Sequence, residues 1–281
     1  MSLNFDIIGA DSEPAERSWT ETDVLLYALA VGAGQQDPLA ELEFTTENSS
    51  GVRTRVLPTF GNMIAGGGGR RSLGDFDPAA LVHAEQAFTL HRPLPAAGTA
   101  RSVSRVTGIY DKGSAALVVT ESAAVDAGTG EPFASTRGSI FIRGEGGFGG
   151  DRGPAQDWAM PSGAPDEQVI YRTRPDQALL YRLTGDRNPL HSDPKFAARG
   201  GFPRPILHGM CTYGYTGRAL LHAVCGSEPS RFGSMEGRFT RPVLPGDELT
   251  ISIWADGGTA YFRTTSNGAP VLDRGRLTFT R

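Results

Sequence analysis

The sequence predicts an α+β protein written twice, each copy a curved antiparallel sheet with a helix packed on one face. Three observations predict it. Segments recur: LLYAL (25–29) and LLYRL (179–183), GQQDPLA (34–40) and GDRNPLH (185–191), HRPLPAAG (91–98) and TRPVLPGD (240–247). Gly34 and Gly185 lie 151 positions apart and Arg92 and Arg241 lie 149 apart, so separate matches share nearly one offset. Each copy also ends in β-branched or alternating runs, such as GSAALVVTESAAV and ELTISIWAD, as strands require. Finally, one long helical stretch, HGMCTYGYTGRALLHA, stands ahead of the second set of strands.

Each element has its own reason. Thr20 caps a helix expected over 21–31, with Asp23 in the first turn favoured by the helix dipole. A turn at 34–40 follows, then a short helix expected over 58–65 and strands over 83–91, 101–110, 115–125 and 133–142. In the second copy Pro175 starts a helix over 175–183, because proline is tolerated at the first helical position. The turn at 185–191 precedes the helix over 208–223 and strands over 233–240, 248–255, 259–265 and 271–280. Residues 144–166 are punctuated throughout by glycine and proline and read as a linker between a unit over 1–143 and a unit over 167–281. Their glycines lack the strand-then-helix context of a nucleotide-binding fingerprint. The GGGGR run at 66–70 reads as a mobile loop in preference to a phosphate cradle.

Composition narrows the function. Among 281 residues, 39% are hydrophobic and 21% charged, the range of a water-soluble globular protein. The net charge of −4 gives no basic excess for a nucleic-acid partner. Cys211 and Cys225 form no CxxC pair, so neither a zinc ribbon nor a disulfide framework is expected, and two free thiols suit a reducing cytoplasm. The start MSLNFDIIGADSEP has no signal-peptide pattern, no run approaches the ~20 apolar residues of a membrane span, and LTFTR is no sorting address.

The chemistry concentrates in GDRNPLHSD (185–193). Aligning the two turns sets Gln35 against Asp186, Asp37 against Asn188 and Ala40 against His191, while glycine, proline and leucine are common to both. The shared residues shape the backbone, and the Asp/His pair occurs once. Asp186 and His191 are five apart, so no regular helix face stacks them, but a turn around Pro189 brings both to one polar space. There they could hold a water, with Asn188 as an amide donor, which is equipment for adding or removing water by acid–base chemistry. The plainer reading makes His191 a satisfied histidine and Asp186 a turn former. One His and one Asp are too few ligands for a metal, and Ser192 lacks a nucleophile-elbow context.

These residues carry a resemblance. YRLTGDRNPLHSDPKFA followed by PILHGMCTYG closely resembles the signature of the hydratase 2 family, the MaoC-like (R)-specific 2-enoyl-CoA hydratases. In the first copy, LVHAEQAFTLHRPLP and YDKGSAALVV resemble segments of its two-domain members, including the hydratase part of peroxisomal multifunctional enzymes. The resemblance implies a double hotdog, two tandem hotdog folds each wrapping a curved antiparallel sheet around a central helix, with only the C-terminal repeat catalytic. It implies hydration of a trans-2-enoyl-CoA to an (R)-3-hydroxyacyl-CoA, with Asp186 and His191 as the acid–base pair, Asn188 helping to hold the water and Gly209 giving its N–H to the thioester oxygen. It places acyl-CoA contacts at His83, Ala84, Lys112, Arg187, Pro189, Leu190 and Phe239, and Ala84 departs from the family's usual glycine. It implies no metal or redox cofactor, CoA being part of the substrate, and a homodimer. Plainer readings stand beside these: Gly209 as an ordinary helix-start glycine, Lys112 as an exposed turn residue, His83 as a strand residue, Phe239 as core and His208 as a structural helix-start residue. Tyr27 and Tyr181 recur in both copies and read as packing; His91 and His222 carry no signal. A carrier-protein-dependent dehydratase, a thioesterase and a non-catalytic acyl-CoA-binding module remain as alternatives.

Overall fold

Long alternating runs become long antiparallel strands. The computed structural model describes residues 3–66, 72–154 and 158–280. The first half contains β1 (Ala15–Trp19), α1 (Glu21–Ala30), α2 (Leu42–Thr45), α3 (Gly61–Ala65), β2 (Leu81–Leu90), β3 (Gly98–Asp111), β4 (Ala115–Asp126) and β5 (Pro132–Arg143). The second contains β6 (Glu167–Arg172), α4 (Gln177–Tyr181), α5 (Pro194–Arg199), α6 (Gly209–Cys225), β7 (Phe232–Phe239), β8 (Glu248–Asp256), β9 (Thr259–Ser266) and β10 (Ala269–Phe279).

All ten strands form one sheet in the order β1-β3-β4-β5-β2-β7-β10-β9-β8-β6. Read outward from its centre, each half has the same strand order. The halves join where β2 pairs antiparallel with β7, Ala87 opposite Glu236. The offset of 149 that relates Arg92 to Arg241 also relates Ala87 to Glu236. Equivalent residues of the two repeats therefore face each other across a pseudo-two-fold axis.

The helix at the centre is α6. Every residue from Cys211 to Leu221 is buried, so this helix has no solvent face over three turns. Gly214 and Gly217 let the first half approach it. A Cβ at Gly214 would lie 2.4 Å from Val31 Cγ1, and one at Gly217 would lie 2.3 Å from Thr59 Cγ2. One apolar core accordingly runs through both halves, from Trp19, Tyr27 and Phe60 to Tyr213, Leu220 and Phe262. A second cluster packs Leu3, Ile7, Val106, Ile109, Val118 and Ile142 at the far end of the first half.

Several expectations need correction. The fourth helix begins at Gln177, two residues after Pro175, because the buried Gln177 side chain accepts the Arg174 N–H (3.1 Å) and itself organises the helix start. The edge strands β1 and β6 and the short α5 lie outside the expected elements. The segment after β5 contains no helix or strand among its described residues, yet its start is tied down: the Asp111 carboxylate accepts from the N–H groups of Gly113, Gly147 and Gly149 at 2.7, 2.9 and 2.7 Å. Those bonds hold the Asp111 carboxyl below its ordinary range. In the GGGGR run only Gly66 is described; residues 67–70 lie outside the described residues.

Candidate active site

Two short turns bend residues 185–191 back on themselves. Gly185 has φ 134°, a left-side conformation that a Cβ would oppose. The Asn188 N–H donates to Asp186 Oδ1 (3.1 Å), and the Leu190 N–H donates to Asn188 Oδ1 (3.0 Å). Pro189 then opens a 3-10 turn over Pro189–His191. These local bonds place the Asp186 carboxylate beside the His191 ring. The expected amide donor Asn188 thus spends its carbonyl on the backbone. Asp186, Arg187 and Pro189 are exposed, while Leu190 and His191 are buried.

A third side chain joins them. His208, the residue before α6, stacks its ring on His191, with centroids 3.7 Å apart and planes 27° apart. Ligand atoms of Asp186, His191 and His208 all lie within 4.8 Å of one another. Stacked rings hold their lone pairs in nearly parallel planes, a poor arrangement for converging on one ion, so the geometry favours a proton-handling site over a metal centre.

The tautomers follow from the partners. His191 Nδ1 is 2.9 Å from the Ile206 carbonyl, which can only accept. Nδ1 therefore carries the proton and Nε2 keeps a free lone pair. Burial lowers the pKa of His191, against the pull of the Ile206 bond and the Asp186 charge, so the ring stays neutral below the pH at which a free imidazole protonates. His208 Nε2 donates to the Asp186 main-chain carbonyl (3.2 Å), and its Nδ1 is buried with no partner. Burial first, and the neighbouring His191 second, push the His208 pKa down to about 3.

The remaining expected residues divide. Gly209 is the first residue of α6, where helix N–H groups lack intrahelical partners and the dipole is positive. A Cβ there would lie 3.2 Å from Phe239 Cε1, so glycine keeps that edge open. The Phe239 ring stands 4.7 Å from the ring of His83, on the opposite half. His83, Phe239, Gly209, His208 and His191 thus form one line across the β2–β7 junction. Ala84 sits at the β-bulge between His83 and Glu85 and is buried. Lys112 lies in the turn after β3, where its ammonium donates to the Arg152 carbonyl.

One contributor went unnoticed in the sequence. Arg17, on β1, donates from Nη1 to the Met63 carbonyl (2.9 Å) and from Nη2 to the Thr184 carbonyl (3.2 Å), bracing the start of the 185–191 turn from the other half. No local pattern marks such a long-range bond. His208 was read as a structural residue; its signal was the repeat itself, which sets it against Phe60.

Comparison with known proteins agrees with this architecture. The MFE-2 hydratase 2 N-terminal domain family matches residues 18–144, and the MaoC like domain family matches residues 159–272. The chain is 46% identical to 3-hydroxyacyl-thioester dehydratase Y of Mycobacterium tuberculosis, covering 99% of both chains. It is 44% identical to Enoyl-CoA hydratase ChsH3 of the same organism, covering 92% of this chain and 91% of that one. The crystal structure of a MaoC-like dehydratase from Phytophthora capsici superposes with a TM-score of 0.85 at 31% identity, covering 99% of both chains. With a repeated sheet, one central helix and this pattern of relatives, the chain belongs to the MaoC-like hydratase 2 family and has its double hotdog fold.

Proposed function

We propose that this chain is an (R)-specific 2-enoyl-CoA hydratase, which adds water across a trans-2-enoyl-CoA and runs in reverse as a 3-hydroxyacyl-CoA dehydratase. One observation carries the reading. A neutral imidazole with a free Nε2 stands beside an exposed carboxylate, next to the open N-terminus of a 17-residue helix, and this occurs in one repeat only.

Each group has a task. His191 Nε2 takes a proton from water as the oxygen bonds C3. Asn188 helps to hold that water. Charge develops on the thioester oxygen, where the Gly209 N–H and the positive end of α6 stabilise it. Asp186 orients the water and relays to C2 the proton that His191 took from it, so hydroxyl and hydrogen add across the double bond and both side chains return to their starting states. His83 and Phe239 wall the acyl-CoA path. Ala84, Arg187, Pro189 and Leu190 contact the substrate, and Lys112 turns from its carbonyl partner to a CoA phosphate. No resident metal or redox cofactor takes part.

The acyl group is proposed to be long or bulky, from fatty acids or steroid side chains. Support comes from α3, which spans five residues where α6 spans 17, so less helix lies against the strands of the first half. The same proposal includes a homodimer acting in the cytoplasm; light scattering after gel filtration tests the dimer.

A panel of enoyl-CoAs of graded length and bulk tests the function through loss of conjugated ultraviolet absorbance and chiral analysis of the product. The reading predicts an (R)-3-hydroxyacyl-CoA with no free thiol. Absorbance that stays constant, or thiol released to a reactive dye, overturns it. Crotonyl-CoA turned over far better than every long or ring-bearing substrate overturns the acyl preference alone. The name of the 46%-identical relative, a dehydratase of thioesters, motivates a second reading in which a carrier protein replaces CoA. Comparing both forms of one acyl group separates the two.

A further inference from the structure

We infer that His208 is a positioning residue that aligns both members of the acid–base pair at once, through its ring face against His191 and its Nε2–H bond to the Asp186 main chain. The inference rests on the hydratase reading above. It begins from a comparison within the molecule. Tyr27 packs edge-on against Phe60 (5.4 Å between centroids), and its counterpart Tyr181 packs against His208 (4.8 Å). Phe60 precedes α3 and His208 precedes α6, in equivalent places. A phenyl ring therefore meets the packing requirement of this position.

Histidine is a poor choice if packing is all that matters. Among the described residues its buried Nδ1 has no hydrogen-bond partner, which is destabilising, whereas phenylalanine leaves nothing unsatisfied. What histidine adds is the second nitrogen. Nε2–H reaches the carbonyl of Asp186 across 22 residues of chain and holds the catalytic turn against the start of α6. The ring face meanwhile fixes the plane of His191, whose Nδ1 is anchored on the Ile206 carbonyl. A neutral aromatic face is also a favourable neighbour for the imidazolium that His191 becomes when it accepts a proton.

The groups around His208 keep it neutral. His191 faces it from the 3-10 turn, Arg182 adds positive charge from the end of α4, and the Tyr181 ring closes the apolar side; Asp186 alone favours protonation. Two imidazoles 3.7 Å apart cannot both carry charge at low cost.

The test uses two substitutions in the full chain. His208→Phe keeps the ring and copies Phe60; His208→Gln places an amide N–H near the Nε2 position. The expected result for His208→Phe is a fall in kcat of about tenfold, the scale of a disturbed acid–base group. KM stays within about twofold and the pH profile keeps the same number of ionisations. His208→Gln, which keeps the N–H bond and loses the ring face, recovers part of the lost kcat. A kcat unchanged in a folded His208→Phe makes the residue mere core and overturns the inference. So does His208→Gln performing no better than His208→Phe, or a profile that loses an ionisation, which marks a titrating catalytic group. If the unmodified protein hydrates no enoyl-CoA, the functional reading fails first, and the two failures are distinct.

Discussion

The turns at 34–40 and 185–191 have one backbone and two fates. In both, an acceptor side chain takes the N–H two residues on: Asp37 from Leu39 at 2.9 Å, Asn188 from Leu190 at 3.0 Å. Both start on a glycine with positive φ, 66° at Gly34 and 134° at Gly185. The surroundings differ. The first turn lies against the long α6, and the helix plugs it. Arg218 is buried over the Tyr171 ring (4.0 Å) with Nε 3.5 Å from Glu41, His222 binds the same carboxylate (2.8 Å), and the Tyr215 hydroxyl donates to Gln35 (2.8 Å). Gln35 and Gln36 donate to the carbonyls of Arg172 and Ile170, covering the edge of β6. The second turn meets the short α3, which ends at Ala65, and Asp186 stays open to solvent. Helix length separates the two turns: the 17-residue α6 covers the first, and the five-residue α3 stops short of the second.

The largest expected effect tests that asymmetry. Asp186→Ala lowers kcat by at least ~10²-fold, the usual scale for a lost acid–base group. Rebuilding the motif in the first turn with Gln35→Asp, Asp37→Asn and Ala40→His restores nothing to that variant, because Arg218 and Tyr215 occupy the space. Recovered hydration would break the comparison.

Next comes stability. Arg218→Met removes one partner of a buried pair and leaves the Glu41 carboxylate with His222 and the Gly34 N–H, costing about 3 kcal/mol in denaturant unfolding while turnover per folded molecule stays within about twofold. Equal losses of stability and turnover would mean that the first turn still serves the reaction directly.

Gly209→Ala sets a methyl 3.2 Å from Phe239 and crowds the thioester oxygen, lowering kcat/KM by about tenfold. An unchanged rate would remove Gly209 from the proposed oxyanion contact.

The smallest effect is in pH. His191 and His208 are both depressed below the imidazole value of 6.5. Below that value the unfolded chain binds protons that the folded chain refuses, so stability falls as the solution is acidified. His191, the proposed base, is held neutral by burial to a lower pH than a free imidazole, so the acid limb of kcat/KM is expected below about 6.5. A limb above that value contradicts the burial argument.

How much was legible depended on how each feature writes itself into sequence. Eight strands stood out because they are long and alternate over a buried face. The edge strands escaped because each buries one side chain, Trp19 in β1 and Tyr171 in β6, too few to show a period. The fifth helix had a legible start in Asp193-Pro194, and its six residues were too short to show periodicity. At the site, Asp186, Asn188 and His191 were visible through the repeat, since the alignment isolates what the second copy adds, whereas Gly209, which faces Gly61 in the first copy, came from the family resemblance alone. His208 was visible by the same comparison with Phe60 and was read as a structural helix-start residue. Arg17 and Arg218 were not visible at all, because their partners lie 167 and 187 residues away.

The most direct measurement is the hydration rate of a trans-2-enoyl-CoA by His191→Ala beside Gln35→Ala, both verified as folded. The account predicts a loss of at least ~10²-fold for the first and a rate within about twofold of the unmodified protein for the second. Comparable losses in both, or near-normal turnover without the His191 imidazole, would contradict a single reacting turn.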